Sequence, residues 1–476
     1  MSTAAQPRRI VVIGGGITGL AAAHRLRELA SAHHEPLEVS LLEASDRVGG
    51  ALETVHSDGF VIETGADSFL SEKPWALNLA ERLGLASTIV RTQEQFRRTL
   101  VVRNGRLVEI PAGFSLMAPT YLVPILRSPL FSLRGKLRML LEPFIPRRRS
   151  TTDESLGALV TRRLGREVLE RVAQPLAAGI YTADPARLSA AATMPRFVEM
   201  ERQYGSLVMG LRAASRGRES ESRRVSGARW SLFVSFSRGV GALVEALAAN
   251  LGDVVLRGRR VAALERNRPA GWRICLAEGA PIDADAIICA SPAAVAALLM
   301  RPHDKALAAE LEGIRYASAA TVNLAFRATD FSAPPASFGF VVPAIERRSI
   351  IAGSFSSLKF AGRAPADMIL ARVFLGGALS SAMMTLSDAA MVAAARAEFQ
   401  SLLGVTAPPA FARVRRWPDS MPQYAVGHLD RVRAIRVRLA RHAGLFLAGA
   451  YLDGVGIPDC VRQGEAAAEA AIASVH

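Results

Sequence analysis

The stretch RRIVVIGGGITGLAAAHRLREL, Arg8 to Leu29, decides how the rest of the chain is read. Ile10 to Ile13 predict a short buried strand, Gly14, Gly16 and Gly19 follow in G-x-G-x-x-G spacing, and an amphipathic helix runs on to about Leu29. In such a unit the first glycine makes the tight turn, the second lets a pyrophosphate reach the backbone, and the third lets helix and strand pack closely. The helix N-terminus then faces the phosphates with its partial positive charge. The next apolar run, LEVSLLE, predicts a second strand ending on Glu43, where a carboxylate accepts hydrogen bonds from ribose hydroxyls. Strand, turn, helix, strand and acid in register are far more specific than the glycine spacing alone. Gly14, Gly15, Gly16, Ile17, Thr18, Gly19 and Glu43 are the candidate dinucleotide residues.

At 476 residues, half of them hydrophobic, the chain exceeds what one core serves and predicts two or three folded domains. Its three cysteines, Cys275, Cys289 and Cys460, are odd in number and far apart, which excludes a disulfide framework and any metal-ligand spacing. A reducing compartment and no metal follow. No run of 18 apolar residues is present, and the first apolar run breaks at Gly14-Gly15-Gly16, unlike a secretion signal, so the expected location is the cytoplasm. Of 58 basic residues only Lys73, Lys136, Lys305 and Lys359 are lysine, a bias that reads as solvated surface before it reads as a partner site. An anionic lipid or a carboxylate substrate comes next, and nucleic acid is not expected, because no basic motif interleaved with aromatics occurs.

Near the other end, LAGAYLDGVGIPDC (Leu447 to Cys460) reads as a strand, a glycine turn and a helix start. Directly after Glu43, ASDRVGGALET carries Ala44, Arg47, Gly49 and Gly50. This resembles the R-x-G-G signature of the amine-oxidase-like FAD flavoproteins, in which a segment before the last helix closes the flavin site. That resemblance assigns Gly449, Val455, Gly456 and Ile457 to FAD, held without a covalent bond.

A narrower resemblance spans nearly the whole chain. IETGADSFLSEK (Ile62 to Lys73), IPAGF (Ile110 to Phe114), GIYTADPARLS (Gly179 to Ser189), FGFVVP (Phe338 to Pro343), RWPDSMPQYAVGH (Arg416 to His428) and GVGIPDC (Gly454 to Cys460) are similar to the porphyrinogen oxidases of heme biosynthesis. The resemblance implies that Gly65, Ala66, Asp67 and Ser68 lie against the flavin, that Val261 holds the adenine side, and that Trp417 with Val455 to Ile457 flanks the isoalloxazine. It also implies that Gly179 approaches the tetrapyrrole and that Val341 and Phe374 sandwich its rings. Taken alone, Val341 and Phe374 read as ordinary core, and Asp67 reads equally as a turn-capping carboxylate.

The implied fold class is α/β: a Rossmann-like FAD-binding domain (1–72, 228–294, 432–476), a mixed-sheet substrate domain (73–96, 197–227, 295–431) and a helical domain (97–196). Polar, glycine-bearing Ser215 to Arg229 predicts a loop. Gly113 to Ser150 mixes long apolar side chains with Arg127, Arg134, Lys136, Arg138 and Arg147 to Arg149, which fits either a peripheral contact with an anionic membrane or a helical domain with a basic rim.

A porphyrinogen loses six electrons on becoming a porphyrin and a flavin takes two, so three rounds are required, with molecular oxygen restoring the flavin. No catalytic acid or base is identified, and lone His428 is given no role. Positioning carries the rate. Carboxylate arms of the substrate need cations, for which Lys73 and Arg98 are the candidates, Thr99 standing where the protoporphyrinogen branch commonly has arginine. The reading leans to coproporphyrinogen III over protoporphyrinogen IX. An amine oxidase, a carotene desaturase or a non-catalytic tetrapyrrole carrier stays open as an alternative, and a homodimer is among the expected partners.

Overall fold

The computed structural model describes residues 7–33, 36–111, 114–115, 118–119, 123–222, 232–267 and 271–475. Five parallel strands form one sheet in the order Val255–Leu256, Leu37–Leu42, Arg8–Ile13, Ala286–Cys289 and Leu445–Leu447. Ile10, Val11 and Val12 are fully buried, because helices and a second sheet cover both faces and leave no polar side for the central strand. One face packs on the helices Ile17–His33, Gly241–Leu251 and Ile457–Ser474. The other packs on an antiparallel meander (Val261–Arg266, Trp272–Leu276, Ile282–Ala284) and on the helices Ala293–Met300, Lys305–Glu312 and His428–Leu439. The first and last helices approach so closely that a Cβ on Gly464 would stand 2.2 Å from the Thr18 carbonyl oxygen.

A second, seven-stranded mixed sheet runs in the order Phe411–Pro422, Tyr316–Arg327, Met368–Gly376, Ala352–Phe355, Gly339–Val341, Thr99–Arg103 and Arg106–Glu109. Alternation sends Val322, Leu324, Phe326 and Val373 under the helix Asp388–Leu403. The opposite face meets the hairpin Thr54–Ser57/Phe60–Glu63 and a cluster of helices between Val123 and Ser222.

Three placements differ from the sequence expectation. The segment Thr99–Glu109 is a hairpin at the edge of the seven-stranded sheet, pairing Val101 with Val341, and meets the helices only through side chains such as Val101 and Val108. The helices Pro195–Tyr204 and Leu207–Ser222 sit in the helical cluster through Phe197, Met200, Leu207 and Leu211, where the expectation assigned 197–227 to the substrate domain. The expected loop begins as helix as far as Ser222, and 223–229 fall outside the described residues, as do parts of IPAGF and of the basic apolar stretch between 112 and 122.

Candidate active site

At the end of the first strand Gly14 takes φ +107°, and its N–H donates to the Leu42 carbonyl at 2.8 Å, which turns the chain sharply into the helix. A Cβ on Gly19 would lie 1.9 Å from the Gly14 carbonyl oxygen, so only glycine permits that helix-to-turn contact. Gly16 differs from both. A Cβ there meets nothing within 4 Å, which leaves an open cradle over the helix N-terminus.

Glu43 stands at the tip of its strand and closes the loop. Its carboxylate accepts the Gly15 N–H at 2.6 Å and the Ser45 N–H and hydroxyl at 2.8 and 2.7 Å. Gly49 donates to the Gly15 carbonyl at 2.7 Å, which lays the R-x-G-G turn against the glycine loop. Arg47 braces that turn, its guanidinium donating to the Gly50 carbonyl. Exposed Ala44 lies beside Glu43. Val261 starts the meander two residues after Arg259, whose N–H donates to the Glu43 carbonyl at 2.8 Å. The open cradle, the helix N-terminus and the carboxylate together fit a dinucleotide.

The segment after the hairpin is pinned from three sides. The Thr64 carbonyl accepts Trp417 Nε1–H at 2.9 Å and the Thr321 hydroxyl at 2.7 Å. The Gly65 carbonyl accepts an N–H of Arg372 at 2.5 Å. Asp67 lies 2.9 Å from Lys359 and 3.1 Å from Arg372, and Ser68 donates to it at 2.7 Å. Burial alone would raise the Asp67 carboxyl, but the two cations outweigh it and hold it well below the usual carboxylate range. Between Gly65 and Ser68, Ala66 packs on the core between the five-stranded sheet and the helices Ile17–His33 and Ile457–Ser474.

The C-terminal loop arrives beside this segment. The Tyr424 hydroxyl donates to the Ala450 carbonyl and accepts the Gly454 N–H at 2.7 Å. His428 stacks on Tyr424 with centroids 4.0 Å apart, and its Nε2 is 3.0 Å from the Leu452 carbonyl. Burial lowers the His428 pKa and keeps it a neutral brace. Gly456 is the N-cap of the final helix, which starts at Ile457, and Gly449 opens the turn after the last strand.

A row of side chains continues from the pinned segment across the seven-stranded sheet. Thr321 pairs with Phe374, Phe374 with Ala352, Ala352 with Val341, and Val341 with Val101. The row begins at the hydroxyl that holds Thr64 and ends in the helical cluster, where Val341, Phe374 and Val455 belong to one apolar cluster. The helix Gln174–Tyr181 packs on the same cluster and presents Gly179 exposed, with open space where a Cβ would be.

Two expected substrate residues have the following surroundings. Lys73 is engaged, its Nζ 2.6 Å from an Asp459 carboxylate oxygen in the first turn of the final helix. Alternation along Thr99–Arg103 aims Thr99 to the face of Val101, while Arg98 precedes the strand, exposed, its carbonyl accepting the Phe338 N–H at 3.0 Å. Lys359, Arg372, Thr321 and Asp459 escaped sequence reading, because each acts through a partner remote in the chain.

The profile of the family described as flavin containing amine oxidoreductase matches residues 17–472. The chain is 33% identical over 467 residues to the coproporphyrinogen III oxidase of Bacillus subtilis, with 98% of each chain covered. It is 32% identical over 485 residues to the protoporphyrinogen oxidase of Bos taurus, covering 97% of this chain and 98% of that one. A crystal structure from Exiguobacterium, provisionally named a protoporphyrinogen oxidase, superposes with a TM-score of 0.84 at 30% identity over 99% of both chains.

Proposed function

Because this chain belongs to the flavin-containing amine oxidoreductase family, we propose that it oxidises a porphyrinogen to the porphyrin, with coproporphyrinogen III as its substrate and non-covalent FAD as its cofactor. The observation that carries this reading is the uncharged wall of Val341, Ala352 and Phe374, which continues, row for row, from the segment pinned at Thr64. Relatives named coproporphyrinogen III oxidase supply the substrate class. The protoporphyrinogen oxidase of Bos taurus, at 32% identity, supports protoporphyrinogen IX as the second reading.

FAD when bound would supply a two-electron acceptor, so three molecules of oxygen become three of hydrogen peroxide for each macrocycle. The glycine loop and Glu43 would hold its pyrophosphate and ribose, and Gly65 to Ser68, Trp417 and the Gly454–Ile457 turn would border its ring. The apolar wall orients a macrocycle and excludes water, while Gly179 leaves room for it to approach. Orientation is the contribution these residues make. The division into FAD-binding, substrate and helical domains is part of this proposal, with the edge hairpin joined to the substrate sheet.

We place the protein in the cytoplasm, in contact with an anionic bilayer. No helix among the described residues is long and apolar enough to cross a membrane. Leu133 and Phe144 nonetheless stand 84% and 82% exposed, interleaved with Arg134, Lys136 and Arg138. Anaerobic mixing tests the activity: coproporphyrinogen III should bleach the flavin absorbance, and an unchanged spectrum with both porphyrinogens would refute the proposal.

A further inference from the structure

A cleft of about 240 Å³ opens between the helix Gln174–Tyr181 and two loops, lined among others by Gln174, Thr182, Arg347, Arg348, Gly377 and Ser380. Three further lining residues, Ala178, Val342 and Gly376, lie one or two positions from Gly179, Val341 and Phe374. The cleft therefore adjoins the proposed substrate wall at the ends of its strands. Its volume falls below the roughly 300–1,000 Å³ of a pocket that swallows a whole ligand, which suits one arm of a larger molecule.

The loop bearing Arg347 is held on both flanks. The Ala344 N–H donates to Gln174 Oε1 at 2.8 Å, tying the loop to the helix that carries Gly179. On the far side Glu346 accepts the N–H groups of Asn104 and Gly105 at 2.8 and 3.2 Å. Glu398 takes Arg348 and the Ser349 N–H, at 2.5 and 2.9 Å. Both nearby carboxylates are thus committed, and Arg347 has none within ion-pair distance among the described residues.

Arg347 also sits at φ +51°, ψ +39°, and Thr182 across the cleft at φ +50°, ψ +29°. Of five non-glycine residues with positive φ among the described ones, two line this single cleft. Left-handed backbone is unfavourable at such residues and persists where the surroundings enforce it, commonly at binding sites. Here the surroundings are the Gln174 and Glu346 contacts, and Ala378, whose N–H donates to the Thr182 carbonyl at 2.8 Å.

We propose that this cleft seats a carboxylate arm of the tetrapyrrole, with Arg347 as its cationic partner, so that Arg347, in place of Lys73 or Arg98, fixes the periphery of the substrate. This rests on the porphyrinogen reading above. A bidentate guanidinium matches a carboxylate in shape as well as charge.

The test uses the FAD-loaded protein and the coproporphyrin III product, followed by fluorescence titration. Arg347→Gln should weaken coproporphyrin binding at least tenfold, while binding of the uncharged tetramethyl ester stays the same. Arg347→Gly relieves the backbone strain, so it should show the same binding loss with an unfolding temperature no lower than wild type. In turnover, either variant should raise KM for coproporphyrinogen III far more than it lowers kcat. Equal coproporphyrin affinity in wild type and both variants would overturn the inference. So would protection of Arg347 from phenylglyoxal by succinate but not by coproporphyrin, which would assign the cleft to a free dicarboxylate. Failure of the wild type to oxidise either porphyrinogen would instead overturn the activity itself.

Discussion

Lys73 Nζ stands 2.7 and 2.6 Å from the two carboxylate oxygens of Asp459, a contact that spans 386 residues of sequence. It ties the segment after Ser68 to the first turn of the final helix, and Gly454 wraps that carboxylate so tightly that a Cβ there would fall 2.5 Å from Asp459 Cγ. The segment after the Thr54–Glu63 hairpin and the C-terminal loop are thereby fastened to each other.

Breaking this pair should loosen the flavin before it unfolds the protein. The Lys73 side chain is 40% exposed, which tempers the effect, and the Asp459 side chain is 9% exposed, which sharpens it. A double-mutant cycle of Lys73→Met and Asp459→Asn, read by the temperature of flavin release, should give a coupling of about 1–2 kcal/mol. A coupling near zero would mean that solvent screens the pair.

Gly16→Val and Gly19→Ala should fail in different ways. A Cβ at Gly16 meets no protein atom within 4 Å, so Gly16→Val should fold as apoprotein yet retain no flavin. At Gly19 the same carbon lies 1.9 Å from the Gly14 carbonyl oxygen, so even alanine should distort the turn and lower the unfolding temperature. Flavin content and calorimetry on both variants check this, and a fully flavin-loaded Gly16→Val would refute the placement of the pyrophosphate.

The contribution of Glu63 to stability should fall as pH rises through the range below neutrality, against the buried His24 and His428, whose lowered pKa values act the other way. Burial raises its pKa to about 7 against hydrogen bonds from Thr54 and the Val240 N–H and against the charge of Arg363. Between about 4.5, its ordinary value, and about 7 the folded state holds a proton that the unfolded state has released, so unfolding becomes easier with rising pH. Asp67 acts with the opposite sign: its carboxyl is lowered, so its contribution is present above the ordinary carboxylate pKa and is lost in acid. Glu63→Gln should remove that negative contribution, so the unfolding temperature of the variant should rise relative to wild type as pH goes from 5 to 7. A difference between the two that stays constant across that range would exclude the contribution.

Phe374→Ala should raise KM for the porphyrinogen about tenfold, near 1.4 kcal/mol, and leave the flavin spectrum unchanged. The ring lies in the apolar row with its face 4.7 Å from the Arg372 guanidinium, and removing it opens the wall while the Gly65 carbonyl keeps its Arg372 partner. Steady-state kinetics and absorbance settle it.

The exposed Leu133 and Phe144 give the membrane proposal a direct check. Wild type should float with anionic vesicles at low salt and detach in part at high salt, and Leu133→Glu with Phe144→Glu should stay at the bottom in both. Equal flotation of wild type and variant would show that this surface takes no part.

What the sequence made legible was local. The Arg8–Leu29 unit and Glu43 fall within a few dozen residues, and each glycine there has a steric reason that spacing alone conveys. The same kind of signal was present and misassigned at the edge hairpin: Asn104 and Gly105, at φ +50° and +72°, join the alternating runs TLVVR and RLVE as a two-residue turn. What stayed hidden depends on long-range pairing. Nothing near Asp67 announces Lys359, nor anything near Thr64 the Thr321 hydroxyl, because charges and hydroxyls carry no periodicity that points to a partner.

The strand order has a consequence for biosynthesis. Arg8–Ile13 and Ala286–Cys289 can pair while the ribosome is still at work, but the strand that covers the outer edge of that pair, Leu445–Leu447, is translated well after both. At about 5–20 residues per second, roughly 20–90 s separate the first strand from the last. Throughout that interval a buried-type apolar edge and one side of the first helix lack their cover. Truncations that remove Leu445–Leu447 and the helix Ile457–Ser474 should therefore cost soluble yield far more than changes of similar size at the Asn104–Gly105 turn.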